Sequence, residues 1–120
     1  QEQLDAYAKV SGDRNPLHLD TEFAATTMFG GIIAHGMLTL AFISEMMTLT
    51  FDRDWLETGG LRVRFKGAAY LGDRVGTQGQ VTKEEPVPNG QRVTCNVAAN
   101  NLDHGQGLIS GTATVVLDKA

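Results

Sequence analysis

Asp13 and His18 lie five residues apart in the segment Ser11-Gly12-Asp13-Arg14-Asn15-Pro16-Leu17-His18-Leu19-Asp20, with a proline between them. A carboxylate and an imidazole brought to one point can share a water molecule and act on it as a general acid–base pair. The same segment has a plainer reading. Gly12, Asp13, Asn15 and Pro16 are turn residues, and the Asp13 and Asn15 side chains could serve only to hydrogen-bond the turn. A second candidate is Ile32-Ile33-Ala34-His35-Gly36-Met37-Leu38, in which Gly36 opens a helical pattern. The first amides of a helix lack internal acceptors and its dipole favours negative charge there. A glycine at that point lets a ligand oxygen approach, as in an oxyanion hole. Equally, Gly36 could serve only to let the helix pack tightly. Ser44, two turns further on, fits either a serine bonded to a backbone carbonyl or a group at the same site.

These residues need elements to hold them. Leu4, Tyr7 and Ala8 define one face of a short first helix, which Gly12 is placed to end. Asn15 precedes Pro16 and is biased toward extended backbone, so residues 11–16 are expected as a turn. Asp20 is placed to cap a second short helix over Thr21 to Thr27. Gly30-Gly31 breaks that pattern, and the longest helix is expected from about His35 to Leu49. Its apolar residues go nearly all the way round, which predicts burial on every side. From Leu61 the period changes to two. Strands are expected over Leu61–Lys66, Val75–Thr82, Arg92–Asn100 and Leu108–Leu117, with turns at Gly72-Asp73, Pro86 to Gly90 and Asp103-His104-Gly105. Their spacing suggests a meander of hairpins. A single apolar helix clasped by a curved antiparallel sheet is an α+β arrangement of the hotdog type.

Composition narrows the function classes. The chain has 120 residues, 42% hydrophobic and 20% charged, which reads as one ordinary globular domain with a radius of gyration of about 14 Å. Ten Lys and Arg against fourteen Asp and Glu leave a net charge of −4, which argues against nucleic acid or an anionic membrane as the main partner. The longest apolar-rich stretch, Ile32 to Leu49, is interrupted by His35, Gly36, Thr39, Ser44, Glu45 and Thr48, so no membrane span is expected. Cys95 is the only cysteine, which excludes an internal disulfide and suits a reducing, cytoplasmic setting. It alternates with Val93 and Val97 and reads as a small core residue.

From residue 7 to residue 38 the chain reads Tyr7-Ala8, Ser11-Gly12-Asp13, Asn15-Pro16, His18, Asp20, Phe23-Ala24, Phe29 and then Ala34-His35-Gly36-Met37-Leu38. This order resembles the MaoC-like hydratase/dehydratase family, which includes the (R)-specific enoyl-CoA hydratases and has a hotdog fold. The resemblance implies reversible hydration of a trans-2-enoyl thioester to an (R)-3-hydroxyacyl thioester. It implies that Asp13 and His18 hold the catalytic water, with Asp13 favoured as base, and that the Gly36 amide meets the thioester oxygen. It further implies that Ser44 supports the dyad and that Asn15 braces the loop. No metal and no cofactor is implied; the CoA thioester is the substrate. Two departures stand out. Many relatives have a proline where this chain has Gly31, and relatives carry a strand ahead of the first helix where nothing precedes Gln1. The expected domain is therefore residues 1–120, with a sheet one strand short or trimmed of that strand.

Three rivals share the fold: a dehydratase acting on an acyl carrier protein, a thioesterase, and a non-catalytic partner subunit. The carrier protein is acidic, so the negative balance leans toward CoA. The Ser11–His18 segment argues against a thioesterase, and the presence of both Asp13 and His18 argues against a pocket-shaping subunit. Residues Thr26 to Ile33 are expected to border the acyl pocket, His35 to be structural and buried, and His104 to be solvated. Arg62, Arg64 and Lys66 alternate onto one strand face, either a plain outward polar face or a contact for CoA phosphates. Exposed sheet edges predict a homodimer or higher homo-oligomer.

Overall fold

The change from helical to two-residue periodicity divides the fold as it divides the sequence. In the computed structural model, which describes residues 1–118, five helices precede four strands. The helices are α1 (Glu2–Ser11), α2 (Pro16–Leu19), α3 (Thr21–Ala25), α4 (Gly36–Phe51) and α5 (Arg53–Thr58). The strands are β1 (Gly60–Phe65), β2 (Val75–Val87), β3 (Gly90–Asn101) and β4 (Gln106–Asp118). Gly12 ends α1 with a φ of 81°, a left-handed conformation that glycine adopts without strain. The turn expected over residues 11–16 is followed at once by a single helical turn that was not read from the sequence, started by the Asn15 cap and a proline in the first helical position.

The sheet is antiparallel, in the order β1-β4-β3-β2. β2, β3 and β4 are joined as the expected hairpins. The full meander is not formed: β1 lies against β4, from Gly60 opposite Thr114 to Phe65 opposite Ile109. Alternation in β1 specifies which face is buried, but it does not specify a neighbour. Gly111 makes the pairing possible, because a Cβ there would run into the Arg62 carbonyl.

The core forms where α4 crosses the sheet. Ile43 and Met47 pack on Val93, Cys95, Val97 and Ala99 of β3 and on Ile109, Ala113 and Val115 of β4. Burying each large aliphatic side chain contributes about 1.5–3 kcal/mol. A second cluster of Leu4, Ala24 and Ile32, with Leu17 and Leu38 beside it, fastens the short helices to the start of α4. The expectation that α4 is buried all round is not met: Met37 is 58% and Leu49 80% exposed. Four strands cover one side of the helix and leave the other open. The β2–β3 hairpin is long, and residues 78–84 of β2 are exposed. The radius of gyration is accordingly 16.4 Å, above the compact value. Among the described residues no helix is long and apolar enough to cross a membrane.

Candidate active site

Short polar side chains build the loop after α1 by bonding their own backbone. Ser11 Oγ accepts from the Asp13 amide (3.1 Å), Asp13 Oδ1 from Asn15 (3.3 Å), and Asn15 Oδ1 from Leu17 (3.0 Å). Asp20 Oδ1 then caps α3 by accepting from Glu22 and Phe23. The plain turn reading is thus physically true of Asp13 and Asn15, and it does not compete with a second role. His18 is a buried residue of α2. It is 8% exposed, and its Nδ1 donates to the Ile33 carbonyl at 2.7 Å. A carbonyl can only accept, so Nδ1 carries a hydrogen, and the tautomer this selects for the neutral ring has its lone pair on Nε2.

His35 supports the loop from beneath. It is 1% exposed, and its Nε2 donates to the Asp13 carbonyl at 3.0 Å. Its ring stacks on His18, with centroids 3.9 Å apart and planes 25° from parallel, while Tyr7 packs against it at 4.8 Å. One donor atom each from Asp13, His18 and His35 lie within 4.8 Å of one another. A single water, at roughly 2.8 Å from each partner, spans such a gap. The same three groups have the donor types for a cation. His35 Nδ1, the ring nitrogen not bonded to Asp13, is buried and has no hydrogen-bond partner among the described residues.

The start of α4 is fixed by the segment after β1. The Ala34 amide donates to the Ala69 carbonyl at 2.7 Å, and Ile33 forms a bridge with Tyr70. The Leu38 and Thr39 amides turn back to the His35 carbonyl, each at 3.1 Å. Those of Gly36 and Met37 have no protein acceptor among the described residues, and no side chain caps the helix. A cavity of about 390 Å³ opens beside them, lined by His18, Gly36, Phe29, Ile33, Thr39, Phe65, Ala69 and Ile109 among others. Asp13 is exposed and outside that lining. A larger depression, about 830 Å³, lies over Gln78, Asn96 and Ser110 of the sheet, but no titratable side chain lines it. The smaller cavity is the one that combines an imidazole, the free helix amides and apolar walls.

Ser44 is not brought to this group. It lies eight residues past Gly36 on α4, roughly 12 Å along the axis. Its Oγ accepts from the Trp55 indole at 3.1 Å, which ties α4 to α5. The expected support of the dyad by Ser44 is corrected accordingly. Several wall residues were not read from the sequence. Thr39 is buried one turn into α4, and Phe65 faces Gly36, where an added Cβ would come within 3.3 Å of its ring. The alternation of β1 put Phe65 on the inner face, but only the position of α4 against that strand makes it a wall. Within the expected border segment, Phe29 and Ile33 line the cavity, and the Phe29 carbonyl accepts from the Tyr70 hydroxyl at 2.6 Å. Burial pushes the Cys95 thiol above its ordinary value.

An antiparallel sheet packed on one long helix, with a carboxylate and two imidazoles gathered beside that helix's start, is the hotdog arrangement of solved hydratases. Residues 1–102 match the MaoC like domain, and the chain belongs to that family. An (R)-specific enoyl-CoA hydratase from Rhodospirillum rubrum is 34% identical over 115 residues, 92% of this chain and 74% of the relative. A 3-hydroxybutyryl-CoA dehydratase from Methylorubrum extorquens is 31% identical over 105 residues, 86% of this chain and 67% of the relative. The solved R-hydratase from Pseudomonas aeruginosa superposes with a TM-score of 0.82 at 33% identity, covering 99% of this chain and 74% of that one.

Proposed function

We propose that this chain interconverts trans-2-enoyl thioesters and (R)-3-hydroxyacyl thioesters, with CoA as the thiol, through Asp13, His18 and the Gly36 amide. The observation that carries this reading is the approach of Asp13 and His18 to within 4.8 Å beside a helix start with free amides. The names of the Rhodospirillum and Methylorubrum relatives support the reaction class. Hydration and dehydration are one reaction run in opposite directions, so both names fit one site.

In the hydration direction the thioester oxygen sits at the Gly36 amide and the acyl chain among Phe29, Ile33 and Ile109. Water donates one O–H to the Asp13 carboxylate and the other to His18 Nε2. Asp13 takes the first proton as the water oxygen bonds C3. The electron pair of the C2–C3 double bond moves onto the thioester oxygen, where the helix amide stabilises the developing charge. The protonated Asp13 then returns that proton to C2, and the enolate collapses to the product. Asn15 holds the loop through its cap of Leu17.

A homodimer is part of the same proposal. Met37 and Leu49 leave an open apolar side on α4, and among the described residues β1 and β2 are both unpaired sheet edges. The test of the reaction is the loss of enoyl-thioester absorbance with crotonyl-CoA and longer homologues, followed by chiral analysis of the product. Formation of the (R)-3-hydroxyacyl thioester is expected. Release of free CoA without a hydroxyacyl product would point to a thioesterase.

A further inference from the structure

Asp13, His18 and His35 offer one carboxylate and two imidazoles whose donor atoms lie within 4.8 Å of one another. Carboxylate oxygen and imidazole nitrogen are both ligands that zinc takes from proteins. Zinc needs free lone pairs, and the hydrogen bonds of the two rings provide them. The Ile33 carbonyl takes the Nδ1 hydrogen of His18 at 2.7 Å, so the neutral ring has its lone pair on Nε2. The Asp13 carbonyl takes the Nε2 hydrogen of His35 at 3.0 Å, which leaves the lone pair of that ring on Nδ1. A ring N–H given to a backbone carbonyl is what fixes tautomer and orientation in metal-ligating histidines, and both rings have it. His35 is 1% exposed, and its Nδ1 is buried without a hydrogen-bond partner among the described residues. A buried polar atom left without a partner is unusual in a folded chain and calls for an explanation.

The two rings are already stacked, with centroids 3.9 Å apart. Asp13 is the adjustable member: it is exposed, and its Oδ1 is held only by the Asn15 amide at 3.3 Å. Zinc–ligand bonds of about 2.0–2.2 Å set tetrahedral ligands roughly 3.4 Å apart, so the carboxylate has to close in by about 1 Å. Its negative charge is not cancelled by an ion pair among the described residues. Two nitrogens and one oxygen favour zinc over magnesium and calcium, which take oxygen ligands. Cys95, the only thiol, is buried in the sheet core and does not compete. We infer that Asp13, His18 and His35 form a zinc site, and that zinc bound there takes the place of the shared water and blocks the reaction. Binding rests on the three donor groups alone; inhibition rests on the hydratase reading.

Calorimetric titration of the chelator-treated chain with zinc chloride tests the site without turnover. Wild type is expected to bind one zinc per chain, and excess magnesium is expected not to compete. Asp13→Asn and His18→Ala are each expected to weaken zinc binding by more than roughly 10-fold, since loss of a mere supporting partner of a ligand already does that. Asp13 is exposed, so its variant keeps the test valid should the His18 variant unfold. His104 is the third histidine of the chain and stands exposed beside Asp73. His104→Ala is expected to bind zinc as wild type does. Crotonyl-CoA hydration is expected to fall in step with zinc occupancy and to return when a chelator is added. No zinc binding by wild type, or unchanged binding by Asp13→Asn, would overturn the inference. So would binding that is lost in His104→Ala and kept in His18→Ala. Full hydration by the zinc-loaded chain would overturn the inhibition. Failure of the hydratase reading would look different: zinc bound through the same residues, with crotonyl-CoA left unhydrated before any zinc is added.

Discussion

The His18 and His35 rings stack at 3.9 Å, and each gives one N–H to the backbone beneath the other's segment. His18 holds Ile33, on the approach to α4, and His35 holds Asp13, on the loop after α1. The two bonds cross-link loop and helix start, so Asp13, His18 and the free amides of α4 are fixed relative to each other. His35→Phe would keep the stacked volume but leave the Asp13 carbonyl without its donor. The expected cost is about 1–2 kcal/mol of stability. Well below the melting temperature, kcat should fall about 10-fold with KM little changed, since Asp13 is displaced while the acyl walls remain. Steady-state kinetics with crotonyl-CoA and a melting curve check this. Equal losses in kcat and in folded fraction would mean a structural role alone.

Gly36→Ala should fold and fail. The added Cβ meets Phe65 Cε1 at 3.3 Å, and Phe65 is half exposed and free to give way. Stability should change by less than about 1 kcal/mol. A methyl group beside the Gly36 amide, with Phe65 pushed into the cavity, should cost roughly 10²-fold in kcat/KM. Unimpaired hydration by Gly36→Ala would remove the helix amide from the mechanism.

Gly31→Val reads the acyl end. A Cβ at Gly31 would lie 3.7 Å from the Tyr70 ring, an ordinary contact, so the variant should fold. Tyr70 holds the Phe29 carbonyl, and Phe29 is a cavity wall. Enlarging residue 31 should therefore shift the ratio of kcat/KM between crotonyl-CoA and an eight-carbon enoyl-CoA. An unchanged profile across chain lengths would separate residue 31 from the pocket.

Cys95 should be inert in the native protein. It is 4% exposed, and burial raises its thiol above the ordinary value, so the neutral form persists at pH values where an exposed cysteine begins to ionise. A disulfide reagent at pH 8 should label less than a tenth of the chains until denaturant is added. Rapid labelling without denaturant would mean that the α4–sheet core opens.

Much of this was legible because some signals are local. Gly12 ending α1, Asp20 capping α3, and the alternation of Val93, Cys95 and Val97 each depend on a few neighbouring residues, and each forms as read. What was not legible depends on partners distant in the chain. Nothing in Leu61–Lys66 says that β1 will lie beside β4, and nothing near Ser44 says that the Trp55 indole will claim its hydroxyl. The burial of α4 was over-read because an apolar helix surface does not say what covers it; the sheet takes Ile43 and Met47 and leaves Leu49 open. At the site, spacing brought Asp13 and His18 together, but the support from His35 needed the fold.

The most direct measurement is crotonyl-CoA hydration by Asp13→Asn, His18→Ala and the double variant, each with its melting temperature. Asp13 is exposed, so its replacement should cost under about 1 kcal/mol. His18 is buried and stacked, so its removal should cost about 2–3 kcal/mol, with the chain still folded at 25 °C. Each single variant should lose roughly 10²–10⁴-fold in kcat. The double variant should be barely worse than the poorer single one, because both groups act on one water. Near-normal hydration by Asp13→Asn, or losses that multiply in the double variant, would contradict a dyad acting on a shared water.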